Sequence, residues 1–207
     1  MMEPLREVWE SALAIWIAGG WAMIGIAGAS MVMFGLGAQV WLRLTAKRFT
    51  LIRERTWRRW IENPAERRGP VGELLDFVSG ARTLEDLAAA FSELRTTEVA
   101  PFERDLKVMR VCVTLAPLLG LLGTVTGMLV TFGALATGSG GEKTMALIAA
   151  GISEALITTE TGLVIALPGM FFHYQLARKF DRYKAFLAHM ETVSSQHLHT
   201  KRRMAAA

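Results

Sequence analysis

Between Lys143 and Arg178 the chain carries only two charged residues, Glu154 and Glu160, in an otherwise apolar stretch. Two further stretches, Ser11 to Leu42 and Val111 to Gly141, carry none. A helix needs about 20 apolar residues to cross roughly 30 Å of hydrocarbon, and all three stretches exceed that length. Backbone polar groups in lipid must be satisfied within the segment itself, so each stretch is predicted to be a transmembrane helix. No strand pattern of useful length and no internal repeat occurs. The expected fold is an all-α membrane protein with three transmembrane helices, N-terminus outside, and long helices extending into a cytoplasmic helical domain. The mean hydropathy of +0.31 and the 52% hydrophobic content suit a membrane protein with a sizeable soluble portion.

The basic residues set the expected orientation. Of 23 Lys and Arg, fourteen fall in 43–110 and seven after residue 177, whereas Arg6 and Lys143 are the only others. The positive-inside rule then places 43–110 and the tail in the cytoplasm. The sequence pI near 9.6 follows from this topology rather than from nucleic-acid binding, and no nucleic-acid partner is expected. The chain divides into a short extracytoplasmic N-terminus (1–10), a first span (11–42), a cytoplasmic helical domain (43–110), a second span (111–137), an extracytoplasmic turn (138–143), a third span (144–177) and a cytoplasmic basic helix and tail (178–207). Residues 1–10 hold three glutamates against one arginine, the wrong charge for the start of a cleavable signal, so the first span is read as retained. Cys112 has no intrachain partner for a disulfide.

The first span, roughly Trp16–Leu42, is flanked by Trp9, Trp16, Trp21 and Trp41, which read as interfacial anchors. Arg43–Ile61 is expected to continue that helix until Pro64 and Gly69-Pro70 break it. Residues 71–110 read as short helices, with Thr83-Leu84-Glu85-Asp86 shaped as an N-terminal cap. No metal-ligand or nucleophile constellation appears, and neither an enzyme nor a cofactor is expected. The third helix is expected to run past Arg178 through Phe180, Tyr183 and Leu187 as a rod of about 60 Å, with His197–Ala207 frayed.

A carboxylate in the bilayer core costs about 2.5–3.5 kcal/mol on insertion scales. Intramembrane acids therefore point to a proton or cation path. At 100° per residue, Glu154, Thr158 and Thr161 share a face, while Glu160 lies roughly 120° around the helix and about 9 Å further along. Burial disfavours the charged form of a carboxylic acid, which lets such a group exchange protons, and threonine hydroxyls can donate and accept beside it. The structural alternative is that either glutamate, protonated, hydrogen-bonds a neighbouring helix. In the second span, Gly120, Thr124, Gly127 and Thr131 follow i, i+4, i+7, i+11 with Gly123 beside them. The glycines suit close helix packing, and Thr124 and Thr131 are candidates either for packing or for a pore lining. Pro117 and Pro168 are expected to bend their helices, and His173 to sit at the cytoplasmic rim.

The run Ala116-Pro117-Leu118-Leu119-Gly120-Leu121-Leu122-Gly123-Thr124-Val125-Thr126-Gly127-Met128 resembles the second-span signature of the MotA/TolQ/ExbB proton-channel family. Gly151-Ile152-Ser153-Glu154-Ala155-Leu156, followed by Thr159, Gly162-Leu163 and Pro168, resembles its third-span signature. The three-span layout is similar to ExbB and TolQ, whereas MotA-type members have four spans. The resemblance implies a pentamer in the bacterial inner membrane whose second and third helices line a pore. It further implies a dimer of an ExbD- or TolR-like single-span protein inside that pore, and a TonB-like protein beyond it. By position, Thr124 and Thr159 match the family's pore-facing threonines. Glu154 matches its third-span glutamate, acting structurally or in the ion path. Glu160 departs from the pattern, since better-known members have a small apolar residue there. The reading favoured is an ExbB-like subunit coupling proton-motive force to outer-membrane transport, with a TolQ-like envelope role as the alternative. A small proton-coupled transporter and a passive scaffold are the readings of a different class. Three spans without an inverted repeat argue against the first, and two intramembrane carboxylates against the second.

Overall fold

The structure is a computed structural model that describes residue 6 and residues 15–47, 49, 52–81, 83–137 and 141–205. Trp9, the start of the first span and the Gly138–Gly140 part of the expected turn lie outside the described residues. The described secondary structure is helical throughout, with no strand among these residues. The helices are α1 (Ala22–Ala46), α2 (Glu54–Glu62), α3 (Gly69–Ser79), α4 (Leu84–Leu94), α5 (Ala100–Thr137) and α6 (Glu142–Ala205). Three helical runs are long and apolar enough to cross a membrane: Ala22–Ala46, Leu84–Thr137 and Glu142–Lys201.

Several expectations are corrected. The first span is not one helix: residues 15–18 are helical, then the chain turns at 19–21 before α1 begins. Gly20 sits there with φ of +62°, a left-handed conformation that favours glycine. Nor does α1 continue to Ile61. It ends at Ala46, and Arg53 is extended ahead of α2. Packing explains the interruption. The rings of Phe49 and Trp57 both lie 6.0 Å from that of Phe186, although residues eight apart on one helix stand about 12 Å apart along its axis.

Residues 84–110 are likewise not a set of short helices. Thr83 opens α4 with a reciprocal cap, its Oγ1 accepting from Asp86 N at 3.0 Å while Thr83 N donates to Asp86 Oδ2 at 3.0 Å. The helix then passes through a π-turn at Arg95–Val99 directly into α5. Pro101 supplies the reason: it lacks the N–H for an i−4 bond, and the wider turn just before it absorbs the mismatch. At the other end α6 stays helical through His197 to Ala205 instead of fraying. Lys201 and Arg203 in its last turns complement the helix dipole.

The chain forms two compact units. One comprises residues up to Leu36 with Val108–His173, and the other Gly37–Lys107 with Tyr174–Ala207. Within the second, Trp57, Leu75, Phe91, Leu176, Tyr183 and Met190 are each no more than 2% exposed. Tyr183 packs edge-on against Phe102 at 6.4 Å and tilted against Phe49 at 5.2 Å. Its hydroxyl has no hydrogen-bond partner among the described residues, and burial pushes the phenol above its ordinary pKa. Polar contacts ring this core. Lys47 pairs with Glu98 and Arg95 with Glu191, while Lys179 donates to Thr45 Oγ1 at 2.6 Å and lies 4.3 Å over the Trp41 ring. Burial lowers the Lys179 pKa from its ordinary value.

Candidate ion path

The first unit is built on a seam of small side chains between α5 and α6. Gly120, Gly123 and Gly127 are buried on α5, and Gly151, Ala155, Thr158 and Gly162 on α6. A Cβ on Gly127 would stand 2.7 Å from the Gly151 carbonyl oxygen, and one on Gly162 2.7 Å from that of Ala116. A Cβ on Gly120 would reach the Thr158 carbonyl oxygen at 3.0 Å, and one on Gly123 would run into Thr158 Oγ1. These separations admit only hydrogen, so the helices approach backbone to backbone.

Hydroxyls are fixed along the same seam. Thr159 Oγ1 donates to Gly120 O at 2.9 Å, a hydrogen bond between the two helices. Thr158, fully buried, donates to Ala155 O at 2.9 Å, with Glu154 O at 3.1 Å. Thr131 is buried and donates to Met128 O at 2.7 Å, which puts it in the packed interior of the chain. Thr124, half-buried, donates to Leu121 O at 2.6 Å, and Thr161 to Ile157 O at 2.8 Å. Each of these threonines commits its proton to a backbone carbonyl, so its oxygen is left to accept from a newcomer. Pro117 and Pro168 both lie inside continuous helices, and His173 is half-buried.

The two glutamates have different surroundings. Glu154 is half-buried, and its Oε1 lies against the position a Cβ on Gly20 would occupy. It therefore fills the notch left where the first span breaks. Glu160 is exposed, on a face with Leu156, Leu163, Val164 and Leu167, each at least 49% exposed. No Lys or Arg lies between residues 143 and 178, so this carboxyl sits on an apolar face without a cation on its own span. The pairing of Glu154 with Gly20 was not read from sequence. The Gly19-Gly20 doublet inside the first span was its one visible signal.

The two signature runs thus form one packed helix pair, with Glu154 against Gly20 and Glu160 on an exposed apolar face of α6. A profile of the MotA/TolQ/ExbB proton channel family matches residues 71–189, more than half of the chain. The chain belongs to this family. It is 45% identical over 84 residues to a putative biopolymer transport protein, ExbB-like 1, from Synechocystis, covering 40% of this chain and 33% of that protein. It is 30% identical over 121 residues to the Tol-Pal system protein TolQ of Pseudomonas aeruginosa, covering 56% and 52%. It is 38% identical over 73 residues to the biopolymer transport protein ExbB of Salmonella typhimurium, covering 35% and 29%. The chain spans between about a third and a half of the length of these relatives. The protein is therefore a membrane protein of the ExbB/TolQ type, and its family is one of proton channels.

Proposed function

We propose that the chain is an ExbB-like subunit of a proton-driven motor in the bacterial inner membrane. It assembles as a homopentamer whose second and third spans line a pore. Two helices of an ExbD- or TolR-like partner occupy that pore, and a TonB-like protein carries the motion to outer-membrane transport. The N-terminus lies in the periplasm and the tail in the cytoplasm. The observation that carries the reading is Glu160, a carboxylate turned to the free apolar face of the third span, one residue beyond the interhelical Thr159. An acid there can take a proton from a neighbouring chain and return it, and Thr124 and Thr159 can hold the intervening hydrogen bonds. Each elementary charge crossing 100 mV releases about 2.3 kcal/mol, so a few protons suffice for a mechanical step. A TolQ-like role in the envelope is the second reading, favoured by the longer stretch matched to the Pseudomonas TolQ.

Proton flux into vesicles holding the protein and its single-span partner tests the proposal. Wild type should conduct only with the partner. Glu160→Gln should lower flux by an order of magnitude or more, and Thr159→Val by less. Equal flux in all variants, or none in an assembly shown to be intact, would leave these residues as packing elements and favour a scaffold.

A further inference from the structure

In the second unit, the apolar runs of α1 and α6 close on two exposed aromatics, Trp41 at 43% and Tyr174 at 61%. Each stands within four residues of the first cation that follows it, and rings of this kind prefer the headgroup level of a bilayer. Lys179 joins the two helices there. Its Nζ donates to Thr45 Oγ1 at 2.6 Å and lies 4.3 Å over the Trp41 ring. An ammonium carries three donors. The hydroxyl takes one, and neither the hydroxyl nor the ring brings a negative charge.

At 100° per residue, Tyr174, Arg178, Lys179 and Arg182 fall within an arc of about 140° on α6. Arg178 and Arg182 are exposed, and neither they nor Lys179 form an ion pair among the described residues. The nearest acid in the sequence, Asp181, lies roughly 200° around the helix from Lys179 and pairs with Lys184 at 3.2 Å. Helix α1 contributes no acid, since none occurs between Glu10 and Glu54. Arg178 and Arg182 at i, i+4, and Lys179 and Arg182 at i, i+3, are like-charge neighbours that destabilise a helix unless an anion lies between them. Basic clusters beside a span attract anionic lipid. We propose that this face binds the headgroup of an anionic phospholipid, its phosphate held by Lys179, Arg178 and Arg182 and its glycerol backbone against Trp41 and Tyr174. A zwitterionic lipid carries its own cation beside the phosphate and gains less. Bound there, the lipid would fix the ends of α1 and α6 to each other. The site uses no residue of the ion path.

The test reconstitutes the full chain in phosphatidylcholine vesicles holding a minor fraction of brominated phosphatidylglycerol or, in parallel, brominated phosphatidylcholine. Quenching of tryptophan fluorescence is read, and the Trp41 share is the difference made by Trp41→Phe in each background. In wild type, brominated phosphatidylglycerol should quench that share well beyond its fraction of the lipid, and brominated phosphatidylcholine only in proportion. Lys179→Gln and Arg182→Gln should each lower the preference by about fivefold. Arg59→Gln, whose partner is Glu66, should leave it unchanged. Circular dichroism melts check that each variant is folded, and the exposed Arg182 keeps the test open if Lys179→Gln is not. Both leaflets of a vesicle hold the probe, so the result depends neither on the proposed orientation nor on proton flux. No preference in wild type, or the same preference in wild type and both variants, overturns the proposal. Two further outcomes also overturn it. Quenching by neither lipid would mean that protein covers the face, and a preference abolished by inorganic phosphate at constant ionic strength would assign the site to a soluble anion.

Discussion

Gly20 and Glu154 show how one residue can be required twice. A side chain at Gly20 would have to adopt a φ of +62° and would also occupy the space of the Glu154 carboxyl. Left-handed backbone costs a non-glycine residue about 1–2 kcal/mol, and the collision adds to that. Gly20→Ala should therefore destabilise the protein by about 2 kcal/mol or more in detergent unfolding. In the double variant with Glu154→Ala, the part owed to the collision should return, while the backbone part remains. If the two changes simply add, Glu154 does not fill the notch. Glu160 is exposed, so Glu160→Gln should leave stability nearly unchanged and act on flux alone. The separation matters because a loss of activity at Glu154 can come from helix placement, whereas a loss at Glu160 cannot.

At the scale of elements, α5 and α6 are joined by what their facing residues lack. Gly127 and Gly151 each place a would-be Cβ within 3.0 Å of the other's carbonyl oxygen, so the pair tolerates no side chain at either position without moving apart. Gly127→Leu should cost at least the 1–3 kcal/mol typical of overpacking. It should also weaken the Thr159 to Gly120 hydrogen bond, visible as faster hydrogen exchange along α6. Gly133, whose Cβ would meet nothing within 4 Å, is the control, and Gly133→Ala should be tolerated. The glycine and threonine spacing of this pair was legible in the sequence because 3.6-residue periodicity fixes which residues share a face. Which of the threonines are buried was not. Thr131 and Thr124 sit on the same predicted stripe, yet Thr131 is packed inside and Thr124 is partly open, because small changes in how two helices cross decide what each covers.

For the whole molecule, the proposed orientation follows from the crowding of Lys and Arg into 43–110 and the tail. In a Cys112→Ala background, an impermeant maleimide should label Ser139→Cys from the periplasmic side of intact cells. Gly80→Cys should be labelled only after the membrane is opened, and the reverse pattern would invert the topology. The presence of three long apolar helices, their helical state and the family were all determined by the sequence alone. Lipid leaves a predominantly apolar run of this length no other backbone solution, and both signature runs fall within such runs. Three features were decided only by tertiary structure. Helix α1 stops at Ala46 because Phe49 and Trp57 converge on Phe186. The second long helix begins as early as Leu84 because a π-turn accommodates Pro101. Glu154 and Glu160 part company because one meets Gly20 and the other lies exposed on a face of exposed leucines and valine. In each case the deciding contact joins residues far apart in the sequence or depends on backbone geometry, and local pattern carries neither.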